Sequence, residues 1–132
     1  MARVYIACHA PDRANYVADV LKAAGHAVVS TWHTSADPRP AKDDAAGWGR
    51  SALRNQSEID GSRVLVVVAS PAHLDGTERV PGGKFVEAGY AIRGNVRVVT
   101  VGGVENGMLY HPHVEHVADA VALVELLATT DS

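Results

Sequence analysis

Val64-Leu65-Val66-Val67-Val68-Ala69 is an apolar run without a polar side chain, a pattern typical of a strand buried on both faces of a parallel sheet. The polar residues and prolines from Ser70 to Pro81 predict a long loop. After this loop comes Gly82-Gly83-Lys84-Phe85-Val86-Glu87-Ala88-Gly89-Tyr90-Ala91, which we interpret as the start of a helix that ends near Gly94. Strand, loop and helix in this order indicate an α/β fold, in which ligands bind outside the carboxyl ends of the strands.

The N-terminal part of the chain predicts a second unit of the same kind. Val4 to Cys8 is a short apolar run that we assign to a central strand, and Ala27 to Trp32 is a second β-rich segment. Between them, small and apolar residues recur at helical spacing before Gly25, which can end a helix. These residues are Ala14, Val17, Ala18, Leu21 and Ala24. The order predicts a βαβ unit with parallel strands and a right-handed crossover.

The segment from His33 to Lys42 is polar and contains two prolines, so we expect a loop there. Asp43 or Asp44 can cap the helix that follows. We expect its inward side to consist of Ala45, Trp48, Ala52, Gln56 and Ile59. The β-branched segment from Val96 to Val101 predicts a fourth strand, and a glycine-rich loop follows it from Gly102 to Gly107.

The C-terminal part completes the alternation of strands and helices. Val114 to Val117 is compatible with a short fifth strand, and Ala118 to Ala128 predicts a closing helix. The residues expected to face inward on this helix are Val121, Leu123, Val124 and Leu127. The whole pattern predicts a single domain over residues 1–132. We expect a three-layer α/β sandwich with a flavodoxin-like, parallel five-stranded sheet in the order 2-1-3-4-5.

Composition excludes several classes of function. Hydrophobic residues make up 47% of the 132 residues, the formal net charge is −3, and Lys and Arg do not cluster. We therefore expect a packed core and no nucleic-acid binding. A single cysteine, Cys8, excludes an internal disulfide and suits a reducing compartment. No signal peptide and no run long enough to span a membrane is visible, so a cytoplasmic protein without membrane contact is expected.

The predicted topology brings four segments to one edge of the sheet. They are Tyr5 to His9, Trp32 with His33, the loop from Ser70 to Gly83 with Glu87, and Gly102 to Asn106. Glu87 is expected in the first turns of its helix, facing this crevice. The positive end of the helix dipole should favour its ionised form there. An ionised glutamate is suited to act as a nucleophile, although a solvated helix carboxylate fits the spacing equally well.

Cofactor and metal sites have little support in the sequence. Gly102 and Gly103 can present backbone N–H groups to a phosphate, but neither a Walker A nor a G-x-G-x-x-G pattern is present. His111 and His113 flank a proline and have no cysteine or acidic cluster nearby, so a loop fits them better than zinc. We expect neither a metal nor an organic cofactor.

Two other residue types permit a functional interpretation as well as a structural one. Cys8, at the end of a strand, can be a nucleophile, but a small buried thiol in the core explains it more simply. Trp32 and Trp48 can stack on a base, and packing in the core explains them equally well.

Four segments carry a resemblance to a known family. They are Tyr5-Ile6-Ala7, Gly25-His26-Ala27-Val28-Val29-Ser30-Thr31-Trp32, Gly83-Lys84-Phe85-Val86-Glu87-Ala88-Gly89-Tyr90-Ala91, and Val101-Gly102 with Glu105-Asn106. In this order, and over nearly the whole chain, they resemble the nucleoside 2-deoxyribosyltransferase family. That family includes hydrolases that cut the N-glycosidic bond of nucleoside 5′-monophosphates. The G-x-x-x-E-x-G-x-A block around Glu87 is its most specific part.

The resemblance implies roles for individual residues. Glu87 would attack the anomeric carbon of the sugar, and Tyr5 would help to hold it. Asn55 and Pro81 stand where the transferases commonly have aspartates that handle the base or the sugar. We take Asn55 as a third catalytic residue. The turn from His9 to Arg13 does not match the glycine-rich phosphate loop of the mammalian-type hydrolases. The expected substrate-binding residues are Ala7, Cys8, His9, Trp32, Ser70, Gly82, Gly83, Gly102 and Asn106.

The resemblance also implies the activity and the assembly. The expected enzyme is a nucleoside 2-deoxyribosyltransferase or a nucleotide N-glycosidase that passes a ribosyl or deoxyribosyl group to water or to another base. Its partner would be a small-molecule nucleoside or nucleotide. Family members are homo-oligomers that share site residues, so we expect a homodimer or a larger homo-oligomer packed through the second and third helices. Two alternatives remain open: a nucleotide-binding module without turnover, and an enzyme that cleaves NAD.

Overall fold

The computed structural model describes residues 1–36 and 39–130. Asp37 and Pro38, in the predicted loop from His33 to Lys42, lie outside the described residues, as do the last two positions of the predicted domain. Five strands form one sheet: β1 (Arg3–Ala7), β2 (Ala27–Val28), β3 (Val64–Val68), β4 (Arg97–Val101) and β5 (Val114–Val117). All neighbouring strands are parallel, in the order β2-β1-β3-β4-β5. The predicted fold class and strand order are therefore confirmed.

Helices cover both faces of this sheet. They are α1 (Pro11–Ala23), α2 (Ala45–Asp60), α3 (Pro71–Leu74), α4 (Gly83–Arg93) and α5 (Ala120–Thr130), with a 3-10 helix over Gly107–Tyr110. On one face, α1 and α5 pack against alternate strand residues such as Val4, Ile6 and Val66. On the other face, α4 and the end of α2 pack against the strand residues that alternate with these, such as Tyr5 and Leu65. Since strand side chains alternate between faces, Tyr5 lies on the side of α2 and α4.

The second strand is shorter than predicted, because the segment after Val28 turns away from the sheet. The Val29 amide still donates to the Val4 carbonyl. At the next position along β1, however, the Ile6 amide donates to the side-chain oxygen of Ser30 and not to a backbone carbonyl. A side-chain acceptor that replaces the ladder carbonyl ends the pairing, so the segment up to Trp32 is not a strand.

The inward side of α2 also differs from the prediction. Of the residues expected there, only Ile59 is buried, and Trp48 is 43% exposed. Gly47 is the other buried residue of this helix. Its amide donates to the side chain of Asp44, the predicted cap. Between these two buried residues, the side of α2 that packs against the rest of the protein consists of the partly buried Ser51, Asn55 and Glu58. This side of α2 is therefore polar, as expected for a helix that borders a crevice.

Two smaller corrections concern the other helices. The predicted loop from Ser70 to Pro81 contains the short helix α3. On α5, Leu123 and Leu127 are buried as expected, but Val121 is 59% exposed and Ala120 takes its place in the core. No helix among the described residues is long and apolar enough to cross a membrane.

Candidate active site

Glu87 is the fifth residue of α4, one turn after the helix begins. Its neighbours Lys84, Ala88 and Ala91 face the sheet and are buried, whereas Glu87 is partly buried on the flank toward α2. Tyr5, in the middle of β1, is fully buried, and its hydroxyl group donates a hydrogen bond of 2.5 Å to Oε2 of Glu87. The structure therefore brings these two residues together at the predicted crevice.

Asn55 reaches the same carboxylate from α2. Hydrogen bonding with the Asn55 side chain favours the ionised form of Glu87, as does the hydrogen bond from Tyr5. The three residues assigned to catalysis from the sequence thus lie in one cluster, contributed by β1, α2 and α4. Because an amide has no acidic proton, Asn55 can orient the carboxylate but cannot donate a proton as an acid.

The electrostatic expectation for Glu87 is wrong. Burial raises the pKa of Glu87, the hydrogen bonds from Tyr5 and Asn55 lower it, and the nearby carboxylate of Glu58 raises it, with a net shift above the usual value. Desolvation by the surrounding elements thus outweighs the effect of the helix dipole, which is typically worth only about 0.3–1 kcal/mol at a surface.

Tyr5 serves as a hydrogen-bond donor and not as a base. Its burial and the neighbouring Glu87 carboxylate raise the pKa of the phenol far above its usual value. The hydroxyl group therefore keeps its proton at neutral pH. A neutral phenol beside a carboxylate fixes the orientation of that carboxylate without competing with it for charge.

Glu58 is a site residue that the sequence reasoning missed. It lies one turn after Asn55 on α2, and its charge raises the pKa of both Glu87 and Tyr5. Thr31 holds its two carboxylate oxygens, through the backbone amide at 3.1 Å and the hydroxyl group at 2.6 Å. The spacing of three residues from Asn55 was a usable signal, since such residues share a helix face.

Trp32 lies beside the end of β1, where it borders the crevice. Its indole nitrogen donates to the Ile6 carbonyl at 2.8 Å, and its ring packs partly against both core clusters. The next residue, His33, is buried, with Nε2 2.7 Å from Ser30 Oγ and Nδ1 2.7 Å from Asn15 Oδ1. Burial, and to a lesser extent Lys22, lowers the pKa of His33. A neutral imidazole therefore fixes the turn that carries Trp32.

The remaining predicted residues of the β1 edge divide between two faces. Ala7 is buried on the Tyr5 side, whereas Cys8 belongs to the core cluster on the opposite face. The Cys8 thiol lies 3.5 Å from the Ala10 carbonyl, so its surroundings are those of a core thiol. His9 is partly exposed, 3.6 Å from Glu78.

Ser70, Gly82 and Gly83 mark the two ends of the loop between β3 and α4. Ser70 is buried, and its hydroxyl group accepts a hydrogen bond from Arg13 at 3.3 Å. Both glycines are exposed, and a Cβ atom added at either would meet nothing within 4 Å. Open space therefore lies above the first turn of α4, next to Glu87.

Gly102 and Asn106 are not brought to Glu87. The amide of Gly102 donates to the Val117 carbonyl, so it cannot serve a phosphate. The Asn106 side chain caps the 3-10 helix by accepting from the Met108 amide. Asn106 lines a cavity of about 240 Å³ whose other residues include Phe85, Gly89 and Ile92. Phe85 and Gly89 are each two residues from Glu87, which on a helix is the opposite flank.

Metal-binding residues do not assemble in the described part of the chain. Residues 1–36 and 39–130 contain no group of three or more His, Cys, Asp or Glu side chains that could hold a metal ion. His111 and His113 contact each other edge to face, and His111 Nδ1 accepts the His113 amide.

Comparison with solved structures identifies the architecture. A 2-deoxyribosyltransferase from the psychrotolerant bacterium Bacillus psychrosaccharolyticus superposes with a TM-score of 0.66. The match covers 93% of this chain and 90% of that chain at 16% identity. The chain has the 2-deoxyribosyltransferase fold. The CMP N-glycosidase BcmB of Clostridium botulinum shares it, with a TM-score of 0.61, 13% identity and coverage of 96% and 98% of the two chains.

These two structural neighbours are of the types named by the resemblance in the sequence, so that recognition is confirmed at the level of the fold. No protein-family model matches the sequence, and a search of curated proteins finds no significant match. One neighbour is a 2-deoxyribosyltransferase and the other is a CMP N-glycosidase.

Proposed function

We propose that this chain cleaves the N-glycosidic bond of a nucleoside or a nucleoside 5′-monophosphate, with Glu87 as the nucleophile. The observation that carries the proposal is the hydrogen bond of 2.5 Å from the buried Tyr5 hydroxyl group to Glu87 Oε2. It orients the carboxylate that we assign as the nucleophile. The shared fold with a 2-deoxyribosyltransferase and a CMP N-glycosidase supports the reaction class.

The first step forms a glycosyl ester on Glu87. Its carboxylate oxygen bonds to C1′ of the sugar while the bond from C1′ to the base nitrogen breaks, through a transition state that resembles an oxocarbenium ion. The electron pair of the broken bond leaves with the base, which takes up a proton. Since Asn55 cannot supply that proton, it comes from solvent in the open space above Gly82 and Gly83.

The second step releases the sugar. Water bonds to C1′ and loses its proton to solvent while the bond from C1′ to the Glu87 oxygen breaks, and its electron pair restores the carboxylate; the result is hydrolysis. A second base in the same position gives transfer instead. Both outcomes need the same groups: Glu87 as nucleophile, Tyr5 and Asn55 to orient it, and Trp32 to bound the crevice beside the β1 edge. Gly82 and Gly83, both exposed, complete our proposal for the substrate surface. No metal or organic cofactor takes part in these steps.

The test is a product assay on purified protein. All common nucleosides and nucleoside 5′-monophosphates are incubated with the protein, with and without an added acceptor base, and products are separated by chromatography. We expect free base in the absence of acceptor, a new nucleoside in its presence, or both. Release of nicotinamide from NAD is measured in parallel.

Two variants make the assay decisive. Glu87→Gln should abolish product formation, whereas Glu125→Gln, an exposed glutamate on α5 across the sheet, should leave it unchanged. A nucleotide that binds by calorimetry but releases no base with wild-type protein would favour the binding module over the enzyme. Nicotinamide as the only released base would favour NAD cleavage.

A further inference from the structure

A buried ion pair lies behind the first turn of α4. The side chains of Lys84 and Glu105 are 2% and 1% exposed, and Nζ of Lys84 lies 2.7 Å from Oε1 of Glu105. Nζ also donates to the carbonyl of Val68, the last residue of β3, at 3.1 Å. The lysine therefore ties the start of α4 both to the end of β3 and to the loop after β4.

The other carboxylate oxygen of Glu105 extends these ties to α3. Oε2 accepts the Ser70 amide at 3.2 Å and lies 2.8 Å from His73 Nδ1. Burial alone would raise the pKa of Glu105, but the ion pair with Lys84 and the contacts with His73 and the Ser70 amide lower it below its usual value. One ionised carboxylate thus connects the segments after β3 and β4 with α4.

The contacts of Lys84 with Glu105 and Val68 take the place of an ordinary helix cap. The N-cap residue of α4 is Gly82, which provides no side-chain hydrogen bond, and the first turn contains no acidic residue. Glycine at positions 82 and 83 restricts the backbone conformation less than any other residue would. A cation in the first turn opposes the helix dipole, and a buried ion pair adds little stability compared with apolar side chains. The stability of the fold alone therefore does not explain why a lysine is buried at position 84.

We propose that Lys84 and Glu105 are positioning residues for Glu87. Lys84 precedes Glu87 by three residues, so the anchor that fixes the first turn of α4 also fixes the height of the Glu87 carboxylate relative to the Tyr5 hydroxyl group. The proposal rests on the proposed function, because it assigns the pair a purpose in aligning the nucleophile. It goes beyond that function in assigning roles to residues that do not touch the substrate.

The test uses the double variant Lys84→Met/Glu105→Gln in the full chain. Methionine fills the volume of the lysine without charge, and glutamine still accepts from Ser70, so no unpaired buried charge remains. With the best substrate of the product assay, we expect kcat to fall about ten- to a hundredfold, as a small misplacement of a catalytic group does. KM should stay within about threefold, because the substrate surface is unchanged.

A spectroscopic readout tests the alignment without activity. Protein labelled with ¹³Cζ-tyrosine contains four tyrosines, and Tyr5→Phe identifies the resonance of Tyr5. We expect the double variant to shift this resonance, because its hydroxyl group loses the fixed Glu87 acceptor. The control Arg97→Met breaks the ion pair with Glu115 at the other end of β4 and should shift neither the resonance nor kcat.

The outcomes separate the positioning role from the proposed function. A folded double variant with wild-type kcat and an unshifted Tyr5 resonance would overturn the positioning role. If the double variant does not fold, Lys84→Met alone is measured in the same way and read by the same criteria, because Glu105 keeps its contacts with Ser70 and His73. If wild-type protein turns over no substrate, the proposed function fails, and the Tyr5 resonance alone decides whether the pair positions Glu87.

Discussion

The Tyr5 hydroxyl group donates a 2.5 Å hydrogen bond to Glu87 Oε2 across a sequence separation of 82 residues. The contact is possible because β1 pairs directly with β3, and α4 packs over both strands after the loop that follows β3. A fully buried phenol on the central strand thus meets a partly buried carboxylate on the helix flank.

Replacement of Glu87 by glutamine should abolish turnover and preserve the fold. Glutamine keeps an acceptor for Tyr5 but cannot form the glycosyl ester, so we expect kcat to fall by at least about 10³-fold, as for other lost nucleophiles. Turnover is measured beside circular dichroism, with Glu125→Gln as control. A folded variant with more than about a tenth of wild-type activity, a barrier change below about 1.4 kcal/mol, would exclude Glu87 as nucleophile.

A covalent intermediate should be visible in the wild-type protein. Incubation with a slow 2′-fluoro nucleoside should increase the intact mass by that of the fluorinated sugar, through the ester on Glu87. Glu87→Gln should acquire no mass under the same conditions. An equal gain in both proteins would place the attachment elsewhere.

The same glutamine variant should be at least as stable as the wild-type protein at neutral pH. Burial raises the pKa of Glu87 in the folded protein, so its contribution to stability is present below the unfolded pKa and is lost as pH rises through the folded pKa. Glutamine avoids the buried charge. Between pH 4 and pH 8, the melting temperature of the variant should rise relative to that of the wild-type protein as pH increases. A constant difference across this range would contradict the raised pKa.

The acidic limb of the pH profile should report the pKa of Glu87. Because that pKa is raised, kcat/KM should begin to fall at a pH above the usual range for glutamate. Glu58→Gln removes a like charge and should move the limb to lower pH, whereas Tyr5→Phe removes a stabilising donor and should move it to higher pH. Shifts in the same direction for both variants would contradict this assignment of causes.

Asn55→Asp should change the reaction and its pH dependence together. A carboxylic acid at this position can donate a proton to the leaving base, which an amide cannot. Its charge would also raise the pKa of Glu87, whose ionised form the Asn55 side chain now favours. We expect the acidic limb to move to higher pH or a gain in transfer to an added base. An active variant unchanged in both respects would place Asn55 away from the base.

Self-association should occur through α2 and α4, the second and third helices predicted from the sequence. The 16-residue α2 buries only Gly47 and Ile59, while Leu53 on α2 and Val86 on α4 are 69% and 74% exposed. Light scattering at micromolar concentration should give at least a dimer, and Leu53→Glu should reduce it to monomer. The control is Val121→Glu on α5. A wild-type mass near 13.9 kDa would exclude this assembly.

Much of the fold was predictable because its signals are local. The apolar run from Val64 was expected to be a buried strand, and β3 covers Val64–Val68. Val114–Val117 was expected to be the fifth strand and is β5. Helical spacing placed α1 and α4 correctly. The fold allows Tyr5, Asn55 and Glu87 to meet, and the structure places them together; their catalytic roles stay predictions.

The sequence by itself determined the order of elements, since alternation of apolar residues depends only on near neighbours along the chain. The tertiary structure alone decided that α2 turns a polar side inward, that Ser30 ends β2, and that Lys84 pairs with Glu105. It also reversed the expected direction of the Glu87 pKa. Burial and charge at a site come from segments far apart in sequence, so they exist only once those segments have packed together.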